Sequence, residues 1–408
     1  MCSFVIKYVQ NSISIQPKMK ILFITNGFTE SVFPLAGSLS NENQTHILFL
    51  SNPNFLYREY GFTYKGKYLK FLGSDFLGLR PFLKDRSRVL NEAQISFYLM
   101  SRKMFSRRYF YNDLKFYIAL YFYIRRLKPD VVNMVGHSDF FFEITKLIPR
   151  NVKSVFTLHE VTIDRITNGA TSNRFLRYLY NSDNSVIFHS EYLRKVFLNV
   201  SGNLPKRNTV LPLGLFNHYL YLQTLPLSEL NIASGKFVVL NYGYFRAYKG
   251  YEVFLDVAKR LIHNSDIVFV LAGEGILPAD FYPLPKNVIF INRYLKGGEI
   301  AYLHRESSVT LLPYLAASQS GVVMSSFAFN KPVIVTDVGA FSEYVQSGIN
   351  GFIVEPGNAE QIVQSISFLY SCFANGKSTF GSQIDGTYFV KTWDNLKDLY
   401  LEFLHSLD

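Results

Sequence analysis

The chain has 408 residues, 48% of them apolar and 18% charged, with a net charge of +11. This length exceeds what one hydrophobic core usually organises, so two domains are expected, and the apolar content excludes general disorder. Its two cysteines, Cys2 and Cys372, provide neither a disulfide framework nor metal-ligand spacing, which fits a reducing compartment.

Residues 1–18 carry no turn or helix signature before an apolar run opens at Met19, so they read as an N-terminal extension with Met19 as the expected translation start. No signal-peptide pattern is visible. Residues 20–25 (KILFIT) and 46–50 (HILFL) have buried-strand character and flank a helix-compatible segment. Between Arg80 and Lys128, twelve Lys/Arg stand against Asp85, Glu92 and Asp113, interleaved with aromatics such as Phe105, Tyr109, Tyr117 and Tyr123. This pattern suits an anionic membrane surface, and equally a solvated basic face over an aromatic helix core. Nucleic acid would use the same chemistry but is not the expected partner.

Strands are expected at 131–135, 154–158, 185–188 and 210–213, the last ending at Gly214, with a helix at 191–200. The segment 217–235 contains Pro226 and reads as a linker. From 237 the rhythm restarts, with strands at 237–241, 267–271, 288–291, 309–312, 333–336 and 351–354 and helical segments between them. Residues 307–330 are uncharged, but Pro313, Gln319, Asn330 and several serines make them a buried loop and helix, not a membrane span. Alternation of this kind implies an α/β chain of two facing Rossmann-like domains, 19–216 and 236–385, with ligands in a cleft at the carboxyl ends of parallel strands. The last segment, 386–408, holds a helix that places Leu396, Leu399, Tyr400, Phe403 and Leu404 on one face and is expected to pack across the domain boundary.

The most informative local signal is NYGYFRAYKG at 241–250, between a strand and a helix-compatible run at 251–261. Gly243 after a strand, Arg246 and Lys249 three residues apart, and Gly250 at a helix start suit a diphosphate. Arg246 offers a planar fork, Lys249 a compact charge, and the helix start adds free amides. A turn with two surface cations would look similar. Further on come LAGEG at 271–275 with Glu274 at a strand end, LPYLAASQSGV at 312–322, KPVIVTDVG at 331–339 with Glu343, and GINGFIVEP at 348–356.

In this order and spacing these segments resemble glycosyltransferase family 4, retaining enzymes of the two-domain GT-B architecture. The N-terminal half resembles the family less closely, through TLHE at 157–160 and VIFHSE at 186–191. It departs from the family at Leu213, where a histidine is usual, and at Asn26-Gly27-Phe28, where a glycine pair is usual. The resemblance implies that Arg246 and Lys249 hold the diphosphate of a nucleotide-sugar donor. It implies no cofactor beyond that donor and no metal. Gly243, Gly250 and Glu274 fall on donor-binding positions. The family's paired glutamates map to Ala317 and Ser325, so both carboxylates are absent, and Gln319, Ser320, Gly321 and Val322 are left to contact sugar or phosphate. His159 is expected to face the transferred sugar, with His137 as a weaker candidate of the same kind. Glu343 orients ribose or caps the helix that begins near it.

The implied activity is sugar transfer to a saccharide or lipid-linked saccharide in envelope polysaccharide or glycoconjugate synthesis, in the cytoplasm or at the inner face of the membrane. A GT-B nucleotide-sugar epimerase and a catalytically inactive nucleotide-sugar-binding protein are the alternatives. A dehydrogenase is disfavoured because residues 25–30 lack GxGxxG.

Overall fold

Short runs of Val, Ile, Leu and Phe that are apolar on both faces can only be satisfied by burial on both faces, and the chain arranges them as the central strands of two sheets. The computed structural model describes residues 18–25, 29–51, 95–101, 110–136, 139–161, 178–179, 184–376 and 391–407. The first half runs β1 (Lys20–Thr25), α1 (Thr29–Leu39), β2 (Gln44–Ser51), β3 (Ile95–Ser101), α2 (Phe110–Leu127), β4 (Val131–Val135), α3 (Asp139–Thr145), β5 (Lys153–Leu158), β6 (Ser185–Phe188), α4 (Glu191–Ser201) and β7 (Arg207–Val210). Its strands pair in parallel in the order β3-β2-β1-β4-β5-β6-β7.

The second half runs β8 (Phe237–Tyr242), α5 (Tyr251–Arg260), β9 (Ile267–Gly273), β10 (Val288–Asn292), α6 (Gly297–Glu306), β11 (Val309–Leu312), α7 (Gly321–Ala328), β12 (Val333–Thr336), α8 (Phe341–Tyr344), β13 (Gly351–Val354) and α9 (Ala359–Ala374). These strands form a parallel sheet in the order β10-β9-β8-β11-β12-β13. In both sheets the order reverses beside the first strand, after β1 and after β8, which opens a crevice at the strands' carboxyl ends. The connection at 217–235 begins with a 3-10 turn at Asn217–Tyr221 and buries Leu227 and Leu230.

Two expectations are corrected. The strand placed at 210–213 is β7, at Arg207–Val210. Leu211 and Leu213 are buried, but in a segment that leaves the sheet to meet the C-terminal helix α10 (Trp393–His405). There the Trp393 indole N–H donates to the Leu215 carbonyl at 2.9 Å. A side chain at Gly214 would meet the Trp393 ring at 2.7 Å, so the close approach requires glycine. Secondly, Leu399 is 40% exposed while Leu396, Tyr400, Phe403 and Leu404 are buried. Trp393, Leu396, Tyr400, Phe403 and Leu407 define a stripe at 3.6-residue spacing, and Leu399 falls to one side of it.

The burial of α10 joins the two halves. One apolar cluster extends from Phe23 and Leu39 through Trp393 and Tyr400 to Phe327 and Val335. Lys397 also pairs with Glu42 at 2.7 Å. Under the apolar stripe, the Asn133 amide donates to the Tyr400 hydroxyl at 2.9 Å, and the Thr157 hydroxyl donates to the Asn133 side-chain carbonyl at 3.0 Å. Tyr400→Phe keeps the ring but leaves the Asn133 amide buried without an acceptor. It is expected to cost about 1–3 kcal/mol, read as a lowered denaturation midpoint with an unchanged slope in urea.

Candidate functional site

Both sheets direct their carboxyl strand ends into the space between them, and β8 supplies its centre. Gly243 follows that strand with φ +125°, and Gly273 ends β9 with φ +150°; a side chain at Gly273 would run into the Gly243 carbonyl. The chain then passes exposed, extended Arg246, makes a 3-10 turn at Ala247–Lys249, and enters α5 through Gly250 at φ +67°. Any side chain at Gly250 would collide with the Pro313 carbonyl. These glycines let two strand ends and a helix start crowd into one place.

The turn places Lys249 inside. Its residue exposure is 7%, and its ammonium lies 5.6 Å from the Tyr314 ring centroid and against Gly243, where a Cβ would come within 2.6 Å. Neither Lys249 nor Arg246 has a carboxylate within 4.0 Å among the described residues. Burial, reinforced by the neighbouring Arg246 charge, pushes the Lys249 pKa down from 10.5 to about 8. A desolvated cation without a counter-charge is unfavourable in the free protein and suited to an incoming anion.

Facing it, the segment between β11 and α7 brings Gln319 to His159, which follows β5. The Gln319 amide nitrogen lies 3.3 Å from His159 Nδ1, while His159 Nε2 lies 3.3 Å from His189 Nε2 and 3.4 Å from Ser31 Oγ. His189 Nδ1 is 2.9 Å from the Leu211 carbonyl, and burial lowers the His189 pKa to about 4. A carbonyl only accepts, so Nδ1 of neutral His189 carries its proton and Nε2 is bare. His159 then donates from Nε2 and accepts from Gln319 at Nδ1. Both imidazole nitrogens of His159 are engaged, and a ligand hydroxyl reaches Nδ1 only by replacing the Gln319 amide.

Ser320 caps α7 from an extended conformation without a side-chain bond to its amides, and Gly321 packs against Phe216, whose ring a Cβ would meet at 2.5 Å. Val322 is half-buried in the first turn. Ser325, at a position expected to lack its carboxylate, is buried and returns its hydroxyl to the Gly321 carbonyl at 3.1 Å. Ala317 is half-buried, with its carbonyl beneath Gly339.

Glu343 makes a contact that neither expectation included. Its carboxylate accepts the backbone amides of Glu191 at 2.9 Å and Tyr192 at 2.7 Å, so it caps α4 of the opposite half. Negative charge at a helix start is favourable, and these two amides have no partner within the helix. Beside it the Tyr344 hydroxyl donates to the His189 carbonyl at 2.6 Å.

Glu274 lines a cavity of about 150 Å³ with Glu30, Tyr219, Tyr242, Gly243 and Tyr294. Glu30 and Tyr242 were not anticipated, nor was His189. His189 follows β6 as His159 follows β5, so strand-end position was the available signal. His137, Asn26-Gly27-Phe28 and residues 80–94 and 102–109 of the basic aromatic stretch, including Arg102, Lys103, Arg107 and Arg108, lie outside the described residues. Among those described, no helix is long and apolar enough to cross a membrane, and no three His, Cys, Asp or Glu side chains group as a metal site requires.

Residues 82–215 match the family described as Glycosyltransferase Family 4, and residues 227–374 match Glycosyl transferases group 1. N-acetyl-alpha-D-glucosaminyl L-malate synthase of Bacillus anthracis is 23% identical over 56% of this chain and 62% of its own length. O-antigen chain mannosyltransferase C of Escherichia coli is 23% identical over 40% of this chain and 45% of its own length. The matches thus span less than two thirds of either relative. Among solved structures, sucrose-phosphate synthase from Thermosynechococcus elongatus superposes with a TM-score of 0.65 at 14% identity, covering 95% of this chain and 99% of that one. Anabaena HepE in complex with UDP-glucose superposes at 0.61 and 16%, covering 95% and 100%. These likenesses place the chain in the two-domain GT-B fold.

The Lys249 shift has a definite sign in stability. Between pH 8 and 10.5 the unfolded chain holds this proton and the folded chain does not, so the cost of burying the cation is complete below pH 8 and disappears as pH approaches 10.5. Lys249→Met is therefore expected to unfold at higher denaturant than the unaltered chain at pH 7, with the gap closing above pH 8. Equal midpoints at both pH values, from urea titrations, would exclude a desolvated cation here.

Proposed function

We propose that this chain, which belongs to glycosyltransferase family 4, transfers a sugar with retention from a nucleotide-sugar donor to a saccharide or lipid-linked saccharide acceptor in envelope polysaccharide or glycoconjugate synthesis. The observation that carries the reading is the buried Lys249 ammonium, without a carboxylate partner among the described residues, three residues from exposed Arg246 at the start of α5. The donor's diphosphate is the anion that satisfies it. As the bond from sugar to phosphate breaks, charge accumulates on the departing nucleotide, and cations already in position stabilise it without reorganising. HepE, of similar fold, takes UDP-glucose, and the mannosyltransferase relative is named for O-antigen chains; both support donor and acceptor class.

The rest of the machinery follows from this placement. Gly243 and Gly250 admit the phosphates to the backbone, the Ser320 to Val322 amides at the start of α7 meet the sugar side of the diphosphate, and Glu274 borders the nucleoside. His159 takes a hydroxyl of the transferred sugar at Nδ1 when Gln319 gives way, with His189 holding it in the accepting tautomer. Among these groups none is a convincing side-chain nucleophile. This set is compatible with retention by same-face attack, the donor phosphate drawing the proton from the acceptor hydroxyl as the new glycosidic bond forms.

Ser325 supports a second reading, a nucleotide-sugar-binding protein without transfer, because its hydroxyl is committed to the Gly321 carbonyl where the family places a carboxylate. An enzyme releases nucleotide when donor and acceptor are both present, whereas a binding protein retains donor unchanged. An epimerase would alter the sugar without acceptor. For the enzyme, Arg246→Ala and Lys249→Ala are each expected to reduce transfer by about 100-fold or more while leaving the circular dichroism spectrum unchanged. Full activity in both variants would refute the assignment.

A further inference from the structure

The sheet order β10-β9-β8-β11-β12-β13 puts the turn that carries Lys249, after β8, in the middle of the strand ends. Gln319 and the start of α7 lie on the β11 side of it, where His159 approaches. On the other side, across the ends of β9 and β10, is the cavity of about 150 Å³ that runs from Gly243 past Gly273 to Tyr294 and Leu295. Neighbouring strands stand about 4.8 Å apart, so β10 is roughly 10 Å from β8. A diphosphate seated on Lys249, with its sugar toward Gln319, therefore leaves the nucleoside to this cavity.

The size and walls of the cavity restrict what enters. A cavity of this volume is filled by one benzene-sized ring. Its far wall is closely packed: Gly297 and Gly298 begin α6 where a Cβ would meet Leu222 at 2.7 Å and would run into the Gln223 carbonyl. The Leu225 amide donates to the Gly298 carbonyl at 3.1 Å. This approach brings buried Tyr219, from the connection between the halves, to line the cavity with buried Leu295 and half-buried Ile300. Arg293, beside Tyr294, is held by Glu229 at 3.0 Å and Glu299 at 2.8 Å.

The near wall is open. Tyr244 follows Gly243 and lines the cavity while remaining 51% exposed. Its carbonyl accepts from the Tyr251 hydroxyl at 3.1 Å, which fixes the backbone under the ring. An exposed aromatic ring next to a phosphate site is a stacking platform for a base. Glu30 and Glu274 also line the cavity, and carboxylates accept from the N–H groups of a base or from ribose hydroxyls.

We propose that this cavity receives the base of the donor nucleotide, stacked on Tyr244, and admits a single-ring pyrimidine in preference to a fused purine, whose second ring would press on Leu295 and Ile300. The inference rests on the donor reading above and adds the class of nucleotide to it.

Calorimetry compares UDP and CDP with GDP and ADP on the unaltered chain, on Tyr244→Ala and on Ile300→Ala, with inorganic pyrophosphate probing the phosphate grip alone. The pyrimidine diphosphates are expected to bind about tenfold more tightly than the purine ones. Tyr244→Ala should weaken UDP about tenfold and leave pyrophosphate unchanged. Ile300→Ala, which shortens the far wall, should narrow the gap by strengthening GDP and ADP. Purine diphosphates binding as tightly as pyrimidine ones, UDP binding unmoved by Tyr244→Ala, or a gap unmoved by Ile300→Ala would each overturn the base assignment and leave the diphosphate site standing. Failure of pyrophosphate and all four nucleotides to bind the unaltered chain would overturn the donor reading, and this inference with it.

Discussion

A lysine ammonium buried against a glycine, with no carboxylate beside it among the described residues, is the constraint around which the C-terminal half is arranged. Lys249 reaches its place because Gly250 turns the chain in a left-handed conformation under Pro313, and its head fits because Gly243 has no side chain. Gly273 lets the neighbouring strand end close over Gly243. Each glycine weakens the chain's own conformational preference, and the buried charge opposes folding. Such a combination is held in place by the surrounding β8, β9 and β11 strands, which are mostly apolar and well buried, and it is useful because an anion relieves it.

The opposing half is held in register by contacts of a different kind. Helix α10 returns from the C-terminal half to the N-terminal sheet, with Trp393 over Gly214 and Tyr400 over Asn133. Glu343 joins the halves at the cleft itself by capping α4, and Gln319 touches His159 across the same gap. The tail contacts are apolar and extensive, whereas the cleft contacts among the described residues are a few hydrogen bonds. The halves are thus fastened at their base and lightly closed at the mouth, where a donor and an acceptor must enter and leave.

The strands were legible in the sequence because each is a continuous apolar run, and a run such as VVNMV or VIVT has few alternatives to a strand buried on both faces. β3, ISFYLMS, was not, because it lies within a long basic and aromatic stretch whose charge pattern masks a short strand. β7 was displaced by three residues because RNTV is polar for a strand while the apolar LPLG that follows is buried against Trp393 instead. In the site, Arg246 and Lys249 could be read from their spacing between a strand and a helix. The exposure of one and burial of the other could not, since that depends on Tyr314, a residue of another strand end. Nor could the partner of Glu343, since α4 lies about 150 residues earlier in the chain and only the packing of the two halves brings it near.

Proton uptake on binding is the most direct reading of the buried cation. Calorimetry of UDP binding at a pH slightly above 8, in buffers of different ionisation enthalpy, should show that the complex gains protons, because a diphosphate beside Lys249 restores the charge that burial removes. Lys249→Met should abolish that uptake. Tight UDP binding with the same heat in every buffer, in the chain with Lys249 intact, would contradict a diphosphate seated on this lysine.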